Sequence, residues 1–146
     1  MIEKMNEMGM VIDVSHLSDG GFWDCIKHSK QPIIATHSNS RAMTNHTRNL
    51  TDAMLKALAD KGGITGLNFA PDFLSGRKDK RSLAEDMVRH ILHIRKIAGS
   101  SVLALGSDFD GISGKLEIAT PADMPALADA LMKGGLSQSE LEDMFY

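Results

Sequence analysis

Met10-Val-Ile-Asp-Val-Ser-His16 is the stretch of sequence that decides the fold. Residues 10–15 form an apolar run of strand length that ends beside a polar residue. The run is rich in Val and Ile and too continuous for a strand with one solvated face, which is typical of a parallel sheet covered by helices. Runs with the same properties lie at residues 32–36, 63–69 and 102–106. The sequence therefore predicts four parallel strands.

Segments of helical period separate these strands. Ser18 or Asp19 can cap a helix that runs to about residue 29, and Thr51 can cap a helix over residues 52–61. A third helix is predicted over residues 82–98, and Ser137 with Glu140 forms a capping box for a last one. No Ser/Pro-rich linker interrupts the alternation. We therefore predict that residues 1–146 form one α/β unit without an internal boundary.

Composition excludes several classes of partner. Sixteen Lys and Arg against nineteen Asp and Glu give a net charge of −3, so we expect no nucleic-acid binding. No stretch approaches the roughly 20 consecutive apolar residues of a membrane span, and we expect no membrane segment or signal peptide in this chain. Cys25 is the only cysteine, which excludes an internal disulfide and favours a reducing, cytoplasmic location.

Polar residues end the same-face series of all four predicted strands. They are His16, His37, Asn68 and Asp108. Because the carboxyl ends of parallel strands meet at one rim, where α/β folds place their active sites, we expect these side chains to lie close together.

Two histidines and a carboxylate on one rim are ligand types that suit zinc. The alternative for His16 or His37 taken alone is a structural role in the core or a loop. Asp108 can ligate a metal, hold a metal-bound water or act as a general base, and spacing does not separate these roles.

Other polar residues are open to a structural interpretation as well. Arg48, in the polar loop 38–50, can clamp a carboxylate with two hydrogen bonds or be a solvated loop residue. We interpret His90 and His93, three residues apart on the longest predicted helix, as surface or packing residues.

Four motifs together carry a family resemblance: VIDVSHLS at 11–18, ATHSNSR at 35–41, TRNLTD at 47–52 and GSDFDG at 106–111. In order and spacing, the chain resembles the membrane dipeptidase (renal dipeptidase) family of zinc metallopeptidases over essentially all its residues. It corresponds only to that family's C-terminal half. The resemblance implies the C-terminal half of a (β/α)8 TIM-type barrel of the amidohydrolase type, which agrees with a length well below the roughly 250 residues of a closed barrel.

The resemblance also implies a function, the zinc-dependent hydrolysis of dipeptides by a metal-bound hydroxide. His16 and His37 match the two histidines of the second of two zinc ions. Asp108 matches the catalytic aspartate that handles the proton of the bridging water. Arg48 matches the arginine that binds the substrate carboxylate.

Part of the family's site is absent from this sequence. It contains no His-x-Asp motif, and the first-zinc ligands and the bridging glutamate belong to earlier strands of the family's barrel. We therefore expect at most one partial zinc site and an isolated chain that is inactive. The alternative is a non-catalytic α/β fragment or binding module that lacks a complete metal site.

Half a barrel also leaves a surface uncovered. We expect an open apolar inner face that includes Ile12, Val14, Ile33 and Ala104, to be covered by the missing N-terminal half of the barrel. Without that half, the chain is expected to self-associate, for example as a homodimer.

Overall fold

Six strands occur in the computed structural model, which describes all 146 residues. They are β1 (Ile12–Asp13), β2 (Ile33–Ala35), β3 (Ile64–Leu67), β4 (Arg81–Ser82), β5 (Leu103–Leu105) and β6 (Lys115–Leu116). The main sheet has the order β1-β2-β3-β5, and every neighbouring pair in it is parallel. The predicted order and direction of the four strands are confirmed, although each strand is shorter than its apolar run.

Seven α-helices and one short 3-10 helix (Pro121–Asp123) accompany the strands. The α-helices are α1 (Ile2–Glu7), α2 (Asp19–His28), α3 (Asp52–Asp60), α4 (Pro71–Leu74), α5 (Ala84–Ala98), α6 (Met124–Lys133) and α7 (Gln138–Phe145). Ser18, Thr51 and Ser137 each accept a hydrogen bond from the backbone of the first helical turn, which confirms the predicted caps. None of the helices combines the length and the apolar character needed to cross a membrane.

The core lies between the main sheet and the helices that cover one of its faces. Ile12, Val14 and Ile33 are only 4%, 3% and 0% exposed. The expectation that these three residues line the open inner face is therefore wrong. They point to the helical layer, where barrel strands bury their large apolar side chains.

The open face of the sheet carries the alternate residues of each strand. Asp13 pairs with Ile34 and Ile34 pairs with Ile64, whose side chain is 40% exposed. Ala104, opposite Gly66 on β3, also belongs to this face and is half-buried. An uncovered sheet face with exposed apolar residues exists, but its members differ from the predicted set.

Two glycines allow the carboxyl ends of the main strands to approach each other closely. A Cβ atom on Gly66 or Gly106 would lie 2.0 Å or 1.8 Å from the carbonyl oxygen of Thr36. Only residues without a side chain fit here, so the end of β2 packs directly against β3 and β5. This packing sets His37, the residue after Thr36, at the rim of the sheet.

A second, two-stranded sheet joins two loops above that rim. Strand β4 follows the loop after β3, β6 follows the loop after β5, and Arg81 pairs with Lys115 in parallel. Gly114, with φ +137°, lies so close to the first loop that a Cβ atom would be 2.8 Å from Pro71 Cγ. The loops after β3 and β5 therefore form one connected structure, which the sequence patterns did not predict.

Candidate active site

A cavity of about 440 Å³ opens at the carboxyl ends of the four main strands. Each of the four loops that follow these strands contributes to its wall. The lining residues are His16, Arg48, Ala70, Pro71, Asp72, Phe73, Asp108, Gly111, Ile112 and Ser113. Three of the four predicted site residues thus line one cavity, and the fourth, His37, contacts His16 at its edge.

The imidazoles of His16 and His37 meet at the ends of β1 and β2. Their Nε2 atoms lie 2.9 Å apart and their ring centroids 4.9 Å apart. A turn that starts after Val14 carries His16 across the rim toward His37. Two nitrogens bound to one tetrahedral zinc ion are about 3.3 Å apart, given Zn–N distances near 2.0–2.1 Å. The observed spacing therefore suits two ligands of a single ion.

His37 is held by a hydrogen-bonded contact with Thr36, and burial and neighbouring charges act on its pKa. Its Nδ1 atom lies 2.7 Å from Thr36 Oγ1, which in turn lies 2.6 Å from Asp13 Oδ2. The pKa of His37 is lowered, mainly by burial and also by the nearby positive charge of Arg48, although the negative charge of Asp108 opposes the shift. The ring is therefore neutral near pH 7, as metal ligation requires.

Asp13 is held in its ionised form. Burial alone would raise the pKa of this carboxyl, but hydrogen bonds from Thr36 and Ser15 outweigh that effect and lower it. Its Oδ1 atom accepts from the backbone N–H groups of Ser15 and Thr36 at 3.0 and 3.1 Å.

Asp108 is positioned by its backbone and by Asn68. Its φ of +63° is uncommon for a residue with a side chain and directs the carboxylate to the cavity wall. Asn68 Nδ2 donates to Asp108 Oδ2 at 3.1 Å. A Cβ atom on Gly111 would lie 2.2 Å from Asp108 Oδ1, so only glycine leaves room for this carboxylate.

Asn68 is itself fixed by a buried amide pair. Asn39 Nδ2 donates to the carbonyl oxygen of Asn68, and Asn39 Oδ1 accepts from the Asn68 backbone N–H, both at 2.8 Å. Asn68 Oδ1 accepts from the backbone of Ala70 at 2.7 Å. Sequence reasoning placed Asn68 on the rim without a role and missed Asn39, since its contact with residue 68 is long-range and leaves no periodic signal.

Arg48 lies in the cavity wall and uses only part of its guanidinium for contacts within the protein. Its Nε atom donates to the carbonyl oxygen of Ser15 at 2.8 Å, and its guanidinium carbon lies 5.2 Å from the centre of the Phe73 ring. Arg48 Nη2 is buried and has no hydrogen-bond partner in the protein. Buried polar groups are normally paired, so this nitrogen is available to an acceptor from outside the protein.

The residues present fit part of a zinc site. His16 and His37 provide two convergent nitrogens, but no group of three or more His, Cys, Asp or Glu side chains is arranged to hold an ion. A catalytic zinc ion uses three protein ligands and a water molecule. The chain therefore offers at most two of the ligands that such a centre needs.

The remaining histidines on α5 have structural roles. His90 is buried and bonds to the backbone of Ser40 and Leu74, whereas His93 Nε2 lies 2.8 Å from Asp52 Oδ1. These contacts agree with their interpretation as packing and surface residues.

Comparison with known proteins identifies one family. The model of one protein family, described as "Membrane dipeptidase (Peptidase family M19)", matches residues 1–146, the whole chain. An uncharacterised protein in the pqqA 5′ region of Klebsiella pneumoniae is 40% identical over 148 residues, which cover 100% of this chain and 55% of that protein. An uncharacterised dipeptidase of Schizosaccharomyces pombe is 41% identical over 111 residues, or 76% of this chain and 27% of that protein.

A solved structure agrees with the sequence comparisons. The metallopeptidase from Rhodobacter sphaeroides, liganded with a phosphinate mimic of the dipeptide L-Ala-D-Ala, superposes with a TM-score of 0.92 at 36% identity. The superposition covers 98% of this chain and 41% of that one. The chain thus has the fold of a partial TIM-type barrel, as predicted, and spans about half or less of the length of most of these relatives.

Proposed function

Because this chain belongs to the membrane dipeptidase family, peptidase family M19, we propose that it forms the substrate-binding and proton-handling part of a zinc-dependent dipeptidase. The reaction is hydrolysis of the peptide bond of a dipeptide. One observation carries the proposal: His16, Arg48 and Asp108, from three different loops, line the same cavity. A cavity of about 440 Å³ also lies within the range of small-molecule sites.

His16 and His37 are the proposed zinc ligands, through their Nε2 atoms. When bound, zinc would polarise the scissile carbonyl and acidify a water molecule. The close approach of the two Nε2 atoms and the neutral state of His37 support this role.

Asp108 is the proposed general base. Asn68 donates a hydrogen bond to one carboxylate oxygen, Oδ2, while Oδ1 lies beside Gly111 at the cavity wall. From there Oδ1 can accept a proton from the attacking water and pass it to the leaving amine. Its fixed orientation reduces the cost of reaching the reactive geometry.

Arg48 is the proposed binding group for the substrate carboxylate. The Nε atom and the face of the guanidinium are engaged within the protein, whereas Nη2 has no partner there, so this end of the guanidinium is available to a ligand. A charge-assisted hydrogen bond to a terminal carboxylate would select short peptides whose C-terminus reaches this wall.

The proposal includes what the chain alone lacks. With two imidazoles and no third ligand, we expect the isolated chain to be inactive and to require the N-terminal half of a barrel. A reducing, cytoplasmic location belongs to the same proposal and is supported by Cys25, which is buried and free.

The alternative is a non-catalytic fragment or binding module. It is equally compatible with the lack of any group of three metal-ligating side chains. The two functions differ in what they predict for turnover once the missing strands are supplied.

A chimera tests this difference. Residues 1–146 would replace the matching segment of the Rhodobacter sphaeroides metallopeptidase, and hydrolysis of L-Ala-D-Ala would be measured with added zinc. We expect turnover in the chimera, its loss in Asp108→Asn, and retained binding of the phosphinate dipeptide mimic by that variant. A folded chimera that binds zinc and the mimic without turnover would instead support the binding module.

A further inference from the structure

A chain of hydrogen bonds leads from Asp13 to the imidazole of His37. Asp13 Oδ2 lies 2.6 Å from Thr36 Oγ1, and Thr36 Oγ1 lies 2.7 Å from His37 Nδ1. The directions of these bonds follow from counting protons. An ionised carboxylate only accepts, so the single hydroxyl proton of Thr36 must point to Asp13.

The hydroxyl oxygen of Thr36 can then only accept from the ring. His37 Nδ1 must therefore carry the imidazole proton. A neutral imidazole protonated at Nδ1 has its lone pair on Nε2, and this is the atom that faces His16 Nε2 at 2.9 Å. The geometry sets the tautomer and not only the position of the ring.

We propose that Asp13, acting through Thr36, is a positioning residue that holds His37 in its Nδ1–H tautomer and thereby presents Nε2 as the metal-binding atom. The metal-binding part of this inference rests on the proposed function. The tautomer itself does not, because it depends only on hydrogen bonds within this chain.

The contacts around Asp13 separate this role from a purely structural one. Its Oδ1 atom holds the backbone N–H groups of Ser15 and Thr36, whereas Oδ2 is used for the Thr36 hydroxyl alone. The backbone N–H of His37 is fixed independently, by Ser15 Oγ at 3.0 Å. Of these contacts of Asp13, only the one at Oδ2 bears on which nitrogen of the His37 ring is protonated, and it can be changed without losing the other two.

The substitution Asp13→Asn changes the Oδ2 contact and keeps the two Oδ1 contacts. The amide oxygen would keep the backbone contacts, and the amide N–H₂ would replace Oδ2 and donate to Thr36 Oγ1. The Thr36 hydroxyl would then donate to His37 Nδ1, and the ring proton would move to Nε2. The substitution therefore reverses the tautomer while it preserves the shape of the site.

Two measurements on the full 146-residue chain test the inference. Histidine-selective ¹⁵N NMR would be recorded on the metal-free chain at a pH where the His37 ring is neutral. It should show Nδ1–H for His37 in the wild type and Nε2–H in Asp13→Asn. Zinc affinity, from competition with a chromophoric chelator, should fall about 10–100-fold in the variant. His28, far from the site, provides an internal NMR reference.

A second pair of variants decides the question if Asp13→Asn folds poorly. Thr36→Val removes the hydroxyl and should give mixed tautomers with weaker zinc binding, whereas Thr36→Ser should restore the wild-type tautomer and affinity. Both variants leave the backbone contacts of Asp13 intact.

The outcomes separate this inference from the proposed function. Nε2–H on wild-type His37, or unchanged tautomers in Asp13→Asn and Thr36→Val, would overturn the inference. The expected tautomer in a wild-type chain that binds no zinc would support the positioning role of Asp13 and overturn the metal role proposed for His37.

Discussion

Asn68 donates its side-chain amide to Asp108 over 3.1 Å, and the two residues come from the ends of different strands. Asn68 is fully buried and locked to Asn39, whereas Asp108 has a positive φ at the cavity wall. The orientation of the proposed general base therefore depends on a rigid residue outside its own loop.

Asn68→Asp should alter the pH dependence of turnover in the chimera. The substitution keeps the size of the side chain but replaces a donor by a second negative charge beside Asp108. Like charges favour protonation, so the acidic limb of the kcat/KM profile should move to higher pH. Asn6→Asp, remote from the cavity, serves as the control. An unchanged acidic limb in Asn68→Asp would count against Asp108 as the base.

Arg48→Ala should weaken dipeptide binding far more than it affects folding. Loss of a charge-assisted hydrogen bond costs about 1.5–3 kcal/mol, so KM in the chimera should rise by about 10–100-fold with little change in Tm. Steady-state kinetics and thermal unfolding measure the two effects.

Arg41→Ala is the matched control for Arg48→Ala. Arg41 lies in the same loop, but its guanidinium is paired with Asp19 at 2.7–2.8 Å. We expect this variant to lower Tm without raising KM. A large Tm loss and unchanged KM in Arg48→Ala would instead reveal a structural arginine.

His90 should make the chain less stable in acid. Burial lowers its pKa from 6.5 to about 4, although its bond to the Leu74 carbonyl opposes the shift. Between these two pH values the unfolded state binds more protons than the folded state, so stability falls as pH decreases from 6.5 to 4. The contribution reaches roughly 3 kcal/mol.

Urea unfolding at pH 7 and pH 4.5 measures this effect. His90→Gln, which can still donate to the Leu74 carbonyl, should be less stable at pH 7 but lose less stability on acidification. Equal pH dependence in both proteins would assign acid unfolding to other groups, such as His37, whose pKa is also lowered.

Ile64→Lys should reduce self-association of the isolated chain. Ile64 is 40% exposed on the open sheet face, which a complete barrel would cover. A charge there should shift size-exclusion elution toward the monomer with little change in stability. Met132→Lys, at a 45% exposed position on α6, is the control and should leave elution unchanged. A wild-type chain that is already monomeric would contradict the prediction.

The sequence predicts the main sheet well because each of its strands is a continuous apolar run that ends beside a polar residue. It predicts the strand faces poorly. Both faces of a barrel strand carry apolar residues, so alternation alone does not tell which of Ile12 and Ile34 meets the helices. Strands β4 and β6 have two residues each, too few to leave any periodic signal.

The site residues that come directly after a predicted strand could be predicted from the sequence. His16, His37 and Asp108 could be grouped by position, although His16 reaches His37 because the chain turns there and not because alternation continues. Thr36, Asn39 and Phe73 were not recognised, since each acts through a contact with a side chain or backbone distant in sequence. For Arg48, only the structure reveals the unpartnered Nη2 atom.

The small β4–β6 sheet has a dynamic consequence. Two parts of the cavity wall, Pro71–Phe73 in one loop and Gly111–Ser113 in the other, belong to loops tied together by the Arg81–Lys115 pairing. Neither wall can swing outward without breaking that pairing or carrying the other wall with it. Any outward displacement of these two loops is therefore concerted, and their entropy is restricted together instead of separately.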